Sequence, residues 1–456
     1  MTRLLLIIGI YILVIGCTSC GNKAYEQEKK VSVIQTESQS SPKIILLVID
    51  SLMDEPLKKA IQEKNAPALA FFLKHGQYSK NLVSSYPTMS VTIDSSLITG
   101  TYPDQSKIPG LVWFDNNEKQ INTYGNGLFE IMKLGVSRFA DNIMHQYNNV
   151  DLSPNVKTIH EDLDNIKKDS ASINAFIYRG NYHHTLKVPK LITKVSNLPE
   201  EYETLGPKIL SLGAFIRQDP KNNHIINRIG LNDAFAVQEL KYLLEKNILP
   251  EFTILYISGN DFTVHRKGPD STKGIEKLDK HLQEVLNIFP KWEDALNNNI
   301  WVIIGDSNQS SVNERKKEAL IDLLIHVISG DHKESFIFKP GGTYKDIYNQ
   351  AWTIKGNTSI LDLTLKDKNI HYGDYPDGLA RLYGVMESQD GEFLVVDAKP
   401  GFEFIGESSP EHSGGGAHGS MHKEDSLIPI IVTGTNKSID QLRIVDFKKW
   451  ILDFWN

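Results

Sequence analysis

Three short apolar runs in this chain are each followed, within four residues, by an aspartate. The pairs are Ile44–Ile49 with Asp50, Phe252–Ile257 with Asp261, and Trp301–Ile304 with Asp306. A fourth run of this kind, Ile428–Val432, lies near the C-terminus. Continuous β-branched or aromatic runs of this length are typical of strands buried on both faces of a parallel sheet. With amphipathic stretches between them, they predict an α/β fold with a largely parallel central sheet flanked by helices.

The stretches between these runs predict helices and one irregular region. Helices are predicted at Glu55–His75, Ala234–Lys246, Gly274–Phe289 and Glu314–Ile328. Residues 142–227 fit the core pattern less well, because Asn, Lys and Pro are scattered through them. We interpret this region as an insertion or lid on one large domain that spans residues 43–456.

The first residues differ in kind from the rest of the chain. A short positive start is followed by the apolar run Leu4–Gly16, which is too short to span a bilayer comfortably and predicts a signal peptide at residues 1–16. The end of this run resembles a bacterial lipobox, in which cleavage precedes the cysteine and lipid is attached to Cys17. Residues 17–42 then form a lipidated N-terminus and flexible tether, and the expected location is extracytoplasmic, anchored to a membrane. The alternatives are an unlipidated signal peptide and a signal anchor.

Charge and cysteine content exclude several classes of site. The chain has a net charge of −7 and no block of Lys and Arg, so a nucleic-acid scaffold role is not expected. Cys17 and Cys20 are its only cysteines. A metal site beyond residue 20 therefore has to use His, Asp, Glu or hydroxyl oxygen.

The aspartates that follow the strands predict a cation site. The carboxyl ends of parallel strands meet at one edge of a sheet, so Asp50, Asp261 and Asp306 are expected to converge there; each taken alone could instead cap a helix. His265 follows Asp261 by four residues, and His418 lies in a glycine-rich segment. Asp261 with His265 and His418 is a carboxylate and two histidines with an open fourth position, which is the usual form of a catalytic zinc site.

Several segments together resemble the type I phosphodiesterase/nucleotide pyrophosphatase family of the alkaline phosphatase superfamily. The matching segments are Lys43–Asp50, Ser84–Asp104 with its Pro-Thr and Thr-Gly-x-Tyr-Pro motifs, Asp261–Pro269 with its Asp-x-x-x-His pattern and Gly-Pro, and His418-Gly419 before Leu427–Val432. Their order and spread cover nearly all of residues 43–434. The resemblance implies an alkaline-phosphatase-like catalytic domain at residues 43–456.

The resemblance also implies a bimetallic zinc site that transfers a phosphoryl group through a covalent intermediate. One zinc ion would be held by Asp261, His265 and His418, and the other by Asp50, Asp306 and Ser90. Ser90 takes the family position of the nucleophile, with Thr88 and Thr92 as close alternatives. Metal coordination would favour the alkoxide of this hydroxyl at neutral pH.

Two positions depart from the family pattern. Asp306 is followed by Ser307 where the family has a metal-binding histidine, and Ile93 stands where the family has a phosphate-binding asparagine. The first change leaves a harder ion such as manganese, or a single-metal enzyme, as alternatives. His412, His422 and Asp94 are the candidates to compensate.

These residues favour a metal-dependent hydrolase of phosphodiester or pyrophosphate bonds in nucleotides or similar small phosphorylated molecules. A phosphomonoesterase and a transferase of phosphorylated groups on envelope polymers are the enzymatic alternatives. A degenerate lipoprotein that binds a phosphorylated ligand without catalysis is the third, because of Ser307 and Ile93. A formylglycine sulfatase is disfavoured, since no cysteine lies beyond Cys20.

Overall fold

The computed structural model of the protein describes residues 42–115, 119–124, 141–193, 199–223, 231–312, 321–327, 337–390, 393–404, 412–440 and 442–455. The predicted signal peptide and all of the predicted tether except Pro42 lie outside these ranges. Within them, no helix combines the length and apolar character needed to cross a membrane.

The strands are β1 Lys43–Ile49, β2 Gly76–Val83, β3 Val112–Asp115, β4 Gln120–Thr123, β5 Ser170–Ile173, β6 Tyr182–Lys187, β7 Glu201–Gly206, β8 Ile209–Ser211, β9 Phe252–Ile257, β10 Asn299–Gly305, β11 Ser310–Ser311, β12 Ile321–Val327, β13 Ile337–Lys345, β14 Ala351–Lys355, β15 Leu363–Lys366, β16 Asn369–Tyr372, β17 Phe393–Ala398, β18 Gly416–Ala417 and β19 Leu427–Thr433. The α-helices are α1 Asp54–Gln62, α2 Pro67–Lys74, α3 Ser90–Thr99, α4 Pro103–Ser106, α5 Ile159–Asn165, α6 Lys190–Thr193, α7 Asp233–Glu245, α8 Gly259–Lys267, α9 Lys273–Leu286, α10 Gly378–Met386, α11 Lys423–Ser426 and α12 Phe447–Leu452. Asn142–Asp151 is a π-helix, and short 3-10 helices lie at Trp292–Leu296, Thr358–Leu361 and Ile444–Asp446.

A seven-stranded sheet forms the centre of the fold, in the order β2-β19-β10-β1-β9-β5-β8. Strand β1 is parallel to both neighbours, and its last residue, Ile49, lies opposite Gly305 of β10 and Ile257 of β9. Strands β5 and β8 continue the parallel arrangement, whereas β19 runs antiparallel to β10 and β2. The predicted largely parallel sheet is confirmed, and all four predicted strands belong to it. Because β9, β1 and β10 end in register, the segments that follow them start at one edge.

Both faces of this sheet are covered by other elements. Successive side chains of a strand point to opposite faces, so each strand contributes to two cores. In β1, Ile44, Leu46 and Val48 pack in one apolar core, while Ile45, Leu47 and Ile49 pack in the other. Helices α3 and α12 cover the first face, and α1, α2, α7 and α9 cover the second. The chain therefore forms a layered α/β fold with two cores. A smaller sheet, β14-β13-β16-β15, has a third apolar cluster of its own.

Two predicted helices differ from the structure. The helix predicted at Glu55–His75 is two helices, α1 and α2, which are separated around Lys64 with φ 61° and Pro67. Proline lacks the N–H that a continuous helix would need, but it is tolerated at the first turn of a new one. The helix predicted at Glu314–Ile328 is wrong over Ile321–Val327, which form β12 and pair with β17, and its other residues lie outside the described ranges. A short segment has too little periodicity to separate strand from helix, and here a distant partner strand decides.

The predicted helices at Ala234–Lys246 and Gly274–Phe289 are confirmed as α7 and α9. Residues 142–227, which we interpreted as an insertion or lid, contribute β5 and β8 to the central sheet. Strands β6 and β7 form a separate hairpin in the same region. A lid function of residues 142–227 stays a prediction.

Candidate functional site

Asp261, His265 and His418 lie together at the carboxyl edge of the central sheet. Asp261 is in the first turn of α8 and His265 is one turn later, so both point from one helix face. His418 follows β18 directly and comes from a much later part of the sequence. The Nε2 atoms of His265 and His418 lie 3.2 and 3.7 Å from Asp261 Oδ1, and one ligand atom from each residue falls within 4.8 Å of the other two. This spacing suits three ligands of one ion.

Backbone carbonyls fix the orientation of both histidines. His265 Nδ1 lies 2.7 Å from the Gly416 carbonyl oxygen, and His418 Nδ1 lies 2.5 Å from that of Thr88. A carbonyl only accepts hydrogen bonds, so each Nδ1 carries a proton, and in the neutral ring Nε2 is the nitrogen left to bind an ion. Histidines that bind metals are commonly held in this way. The donor set therefore fits a divalent ion of the zinc type.

Glycine is required where the loop that carries His418 crosses α8. A Cβ on Gly415 would lie 1.9 Å from the backbone oxygen of His265. This close approach sets the Gly416 carbonyl against the His265 ring. The glycine-rich segment thus positions both imidazoles, one through its carbonyl and one through its own histidine.

Ser51 connects the three carboxylates that follow the strands. Its backbone N–H donates to Asp306 Oδ1 at 2.9 Å, and its hydroxyl donates to Asp261 Oδ1 at 2.8 Å. The φ of Ser51 is 55°, a region that residues other than glycine seldom adopt. Tyr256 Oη lies 2.6 Å from Asp50 Oδ2 and 3.2 Å from Asp306 Oδ2. The predicted convergence of Asp50, Asp261 and Asp306 is therefore present.

The electrostatics of this cluster favour a cation. Burial, reinforced by the charges of Asp261 and Asp306, raises the pKa of Asp50 well above its usual value. Burial likewise raises the pKa of Asp306. At Asp261 burial acts in the same direction, but the hydrogen bond and charge of His265 outweigh it and lower the pKa. A positive charge beside these carboxylates would offset the cost of ionising them together.

Ser90 is the first residue of α3, ten residues long, and its side chain is partly exposed. The two alternative hydroxyls, Thr88 and Thr92, are both fully buried at 0% exposure. Thr88 instead holds the His418 loop, because its hydroxyl accepts from Gly419 N at 2.8 Å and donates to the Ser420 carbonyl at 3.1 Å. Of the three hydroxyls, Ser90 is the one that a substrate can reach. Its role as nucleophile and ligand stays a prediction.

The two departures from the family pattern have structural counterparts. Ile93 is fully buried in the apolar core under α3, so this position cannot contact a phosphate. Ser307 is also buried, and its backbone N–H donates to Asp306 Oδ1 at 2.6 Å. Neither Ile93 nor Ser307 supplies the amide or the imidazole that the family has at these positions.

The three candidates to compensate lie in different surroundings. The His412 ring packs 4.3 Å from that of His265, and its Nδ1 lies 2.8 Å from Glu403 Oε2. His422 accepts a hydrogen bond from Glu424 N at the start of α11. Asp94 is fully buried and accepts from Phe176 N. Of the three candidates, His412 is therefore the one in direct contact with the cluster of Asp261, His265 and His418.

Tyr256 and Gln309 are site residues that the sequence did not reveal. The Gln309 amide donates to Asp261 Oδ1 at 2.7 Å and to the Ser51 hydroxyl at 2.8 Å. Tyr256 lies one residue before the end of β9 and contacts two carboxylates. A tyrosine near the end of a buried strand needs a partner for its hydroxyl, which was the available signal. Gln309 gives no comparable signal.

Comparison with known proteins agrees with this geometry. The family model described as type I phosphodiesterase / nucleotide pyrophosphatase matches residues 44–421. The comparison with curated proteins gives no match. Among solved structures, human ectonucleotide pyrophosphatase/phosphodiesterase 5 is 14% identical with a TM-score of 0.54 and covers 90% of this chain and 94% of its own. An inactive threonine-to-alanine variant of the mouse protein in complex with AMP is 13% identical with a TM-score of 0.52, covering 91% and 94%.

Phosphonoacetate hydrolase from Sinorhizobium meliloti, in complex with phosphonoformate, is also similar. It is 13% identical with a TM-score of 0.52 and covers 93% of this chain and 99% of its own. At these identities the structures establish the fold alone, which is alkaline-phosphatase-like. The family assignment comes from the match over most of the sequence. The chain thus belongs to the type I phosphodiesterase/nucleotide pyrophosphatase family of phosphoester hydrolases.

Proposed function

We propose that this protein is a metal-dependent hydrolase of phosphodiester or pyrophosphate bonds in nucleotides or similar small phosphorylated molecules. The observation that carries the proposal is the cluster of Asp261, His265 and His418, in which the Nε2 atoms of both histidines face the carboxylate. Zinc is the ion that this donor set suits best. When bound there, it would polarise a phosphoryl oxygen and stabilise the charge that develops on it.

Ser90 would act as the nucleophile. Its oxygen forms a bond to phosphorus while the bond to the leaving oxygen breaks with its electron pair; the serine proton passes to water, and the leaving oxygen takes a proton from water. Water then attacks the phosphoserine, which restores Ser90 and releases the phosphate product. The start of α3 supports this position, since backbone N–H groups at a helix N-terminus stabilise phosphate oxygens.

The comparisons support a small phosphorylated substrate. One relative binds AMP in a form that a threonine-to-alanine substitution has made inactive, and another binds phosphonoformate. Both ligands carry a phosphorus group with anionic oxygens. A hydroxyl at Ser90 and a cation at the histidines would recognise the same group.

Hydrolysis of a chromogenic phosphodiester and of the matching phosphomonoester tests this proposal, with zinc or manganese added to the fragment that starts at Lys43. Metal-dependent diesterase activity that Ser90→Ala abolishes is the expected result. The control is Ser310→Ala, which removes a partly exposed serine hydroxyl from β11. Preference for the monoester would assign a phosphatase instead. No turnover of either by a folded, metal-loaded sample would favour a protein that binds a phosphorylated ligand without catalysis.

We further propose that lipid on Cys17 holds the protein at an extracytoplasmic membrane surface. The support is the apolar run Leu4–Gly16 with the lipobox-like sequence before Cys17. Metabolic labelling with a palmitate analogue tests this. Cys17→Ser should abolish the label and release the protein from membranes, whereas Cys20→Ser should do neither. Equal labelling of wild type and Cys17→Ser would contradict the proposal.

A further inference from the structure

We propose that this chain binds one metal ion rather than two, because the Tyr256 hydroxyl bridges Asp50 and Asp306 at the position where a second ion would need both carboxylates. The inference rests on the proposed function for the first ion, at Asp261, His265 and His418. It concerns what the remaining two aspartates do instead.

Most carboxylate oxygens of the second position are already engaged. Asp306 Oδ1 accepts from Ser51 N at 2.9 Å and from Ser307 N at 2.6 Å. Tyr256 Oη contacts the Oδ2 atoms of both aspartates, at 2.6 Å for Asp50 and 3.2 Å for Asp306. In the described part of the chain, Asp50 Oδ1 is the oxygen of this pair that has no hydrogen-bond partner. One free oxygen is a poor basis for a divalent site.

At the residue after Asp306, the second position has a serine where an imidazole would supply a nitrogen ligand. Ser307 occupies the residue after Asp306, is fully buried, and has its hydroxyl 3.5 Å from Asp306 Oδ1. Zinc in proteins is held by nitrogen and sulfur ligands more than by oxygen alone. Asp50, Asp306 and a serine hydroxyl would offer it oxygen only. The first position differs, since it supplies two imidazole lone pairs.

Packing keeps the Tyr256 hydroxyl in place. The residue is 1% exposed, and its ring meets that of Phe176 edge to face with centroids 5.1 Å apart. An ion held by the Oδ2 atoms of the two carboxylates would compete with this hydroxyl for their lone pairs. Tyr256 therefore opposes binding of a second ion besides filling its position.

Asp306 acts here as a positioning residue. It holds the backbone of Ser51, and Ser51 in turn donates its hydroxyl to Asp261. Asp306 thus supports the carboxylate of the first site through Ser51. Replacing Asp306 should weaken binding of the single ion, and the number of ions bound per chain should stay at one.

Metal stoichiometry tests the inference without reference to activity. The protein is loaded with excess zinc, and separately with manganese, then exchanged into metal-free buffer and examined by native mass spectrometry and elemental analysis. We expect one ion per chain in the wild type, one in Asp306→Asn, and none in the His265→Ala/His418→Ala double variant. Two ions in the wild type, falling to one in Asp306→Asn, would overturn the inference and leave the proposed function intact.

A designed gain of binding provides the second arm. Ser307→His with Tyr256→Phe restores the imidazole and removes the bridging hydroxyl, and should take up a second zinc ion. Tyr178→Phe is the matched control, because Tyr178 is another tyrosine that is 1% exposed, and Ser307→His with Tyr178→Phe should stay at one. Equal uptake by both double variants would contradict the role given to Tyr256. One ion in a wild type that hydrolyses neither ester would support the inference and contradict the proposed function, whereas no bound ion would overturn both.

Discussion

Thr88 provides a sharp test of how the site is held, because it supports His418 without being a ligand. Its carbonyl accepts from His418 Nδ1, and its hydroxyl bonds both Gly419 N and the Ser420 carbonyl. Thr88→Val keeps the shape of the side chain and replaces the hydroxyl with a methyl group. The Gly419 N–H and the Ser420 carbonyl then lose this hydroxyl as a partner.

The expected effects follow from these contacts. Removing these two hydrogen bonds should lower the free energy of unfolding by about 1–3 kcal/mol. The loop that carries His418 should shift, and loss of such an outer support typically lowers metal affinity by about 10- to 100-fold. Thr88→Ser retains the hydroxyl and should restore most of both properties.

Zinc affinity is measured by competition with a chromogenic chelator, and stability by urea unfolding of the metal-free protein. Thr99→Val is the matched control, because Thr99 lies at the other end of α3, is 3% exposed, and donates to the Ser95 carbonyl. It should lose stability and keep wild-type zinc affinity. A Thr88→Val protein that is destabilised but binds zinc as the wild type does would refute the reasoning, as would an equal loss of affinity in Thr99→Val.

Three further predictions concern stability and loop geometry. Burial lowers the pKa of His160 to about 3, whereas the ordinary histidine pKa is about 6.5. As the pH falls from 7 to 5, the unfolded chain takes up a proton at His160 and the folded chain does not, so the free energy of unfolding should fall by about 2 kcal/mol. His160→Gln should remove that part of the loss when urea unfolding is measured at both pH values. Gly415→Ala would place a methyl group against the His265 backbone and should lower zinc affinity at least about tenfold. Gly110→Ala should leave zinc affinity unchanged, because the nearest atom to its methyl group would be 3.8 Å away. Equal zinc affinities of the two variants would contradict the packing argument. Arg381 is fully buried and donates to three carbonyls and to the Ser426 hydroxyl. Arg381→Met should therefore lower the free energy of unfolding by about 3–5 kcal/mol. A loss below about 1 kcal/mol in urea unfolding would refute this prediction.

The parts of the fold that sequence predicts well are those set by local pattern. The runs that became β1, β9, β10 and β19 are mostly apolar because both faces of the sheet are covered. Asp261 and His265 share a helix face because four residues make about one turn. These features depend on neighbours in sequence, so they can be recognised without knowing the fold.

The parts that sequence did not predict depend on distant partners. The segment Ile321–Val327 gave no sign that Phe393–Ala398 would pair with it and make it a strand. The bridging role of Tyr256 exists only because β9, β1 and β10 lie side by side. Thr88 was a candidate nucleophile, and only the contact with Gly419 shows that its hydroxyl supports a loop. Such contacts form between segments whose separation in sequence carries no pattern.

The position of β19 has a consequence for how the chain reaches its folded state. This strand comes from the last thirty residues, yet it lies between β10 and β2, with Leu427 opposite Val83. Until it has been synthesised, β10 is an open sheet edge of buried residues and β2 has no partner. Exposed apolar edges of this kind pair readily with other chains. A nascent or C-terminally truncated chain should therefore aggregate unless a chaperone covers that edge, and completion of the sheet should be among the last steps of folding.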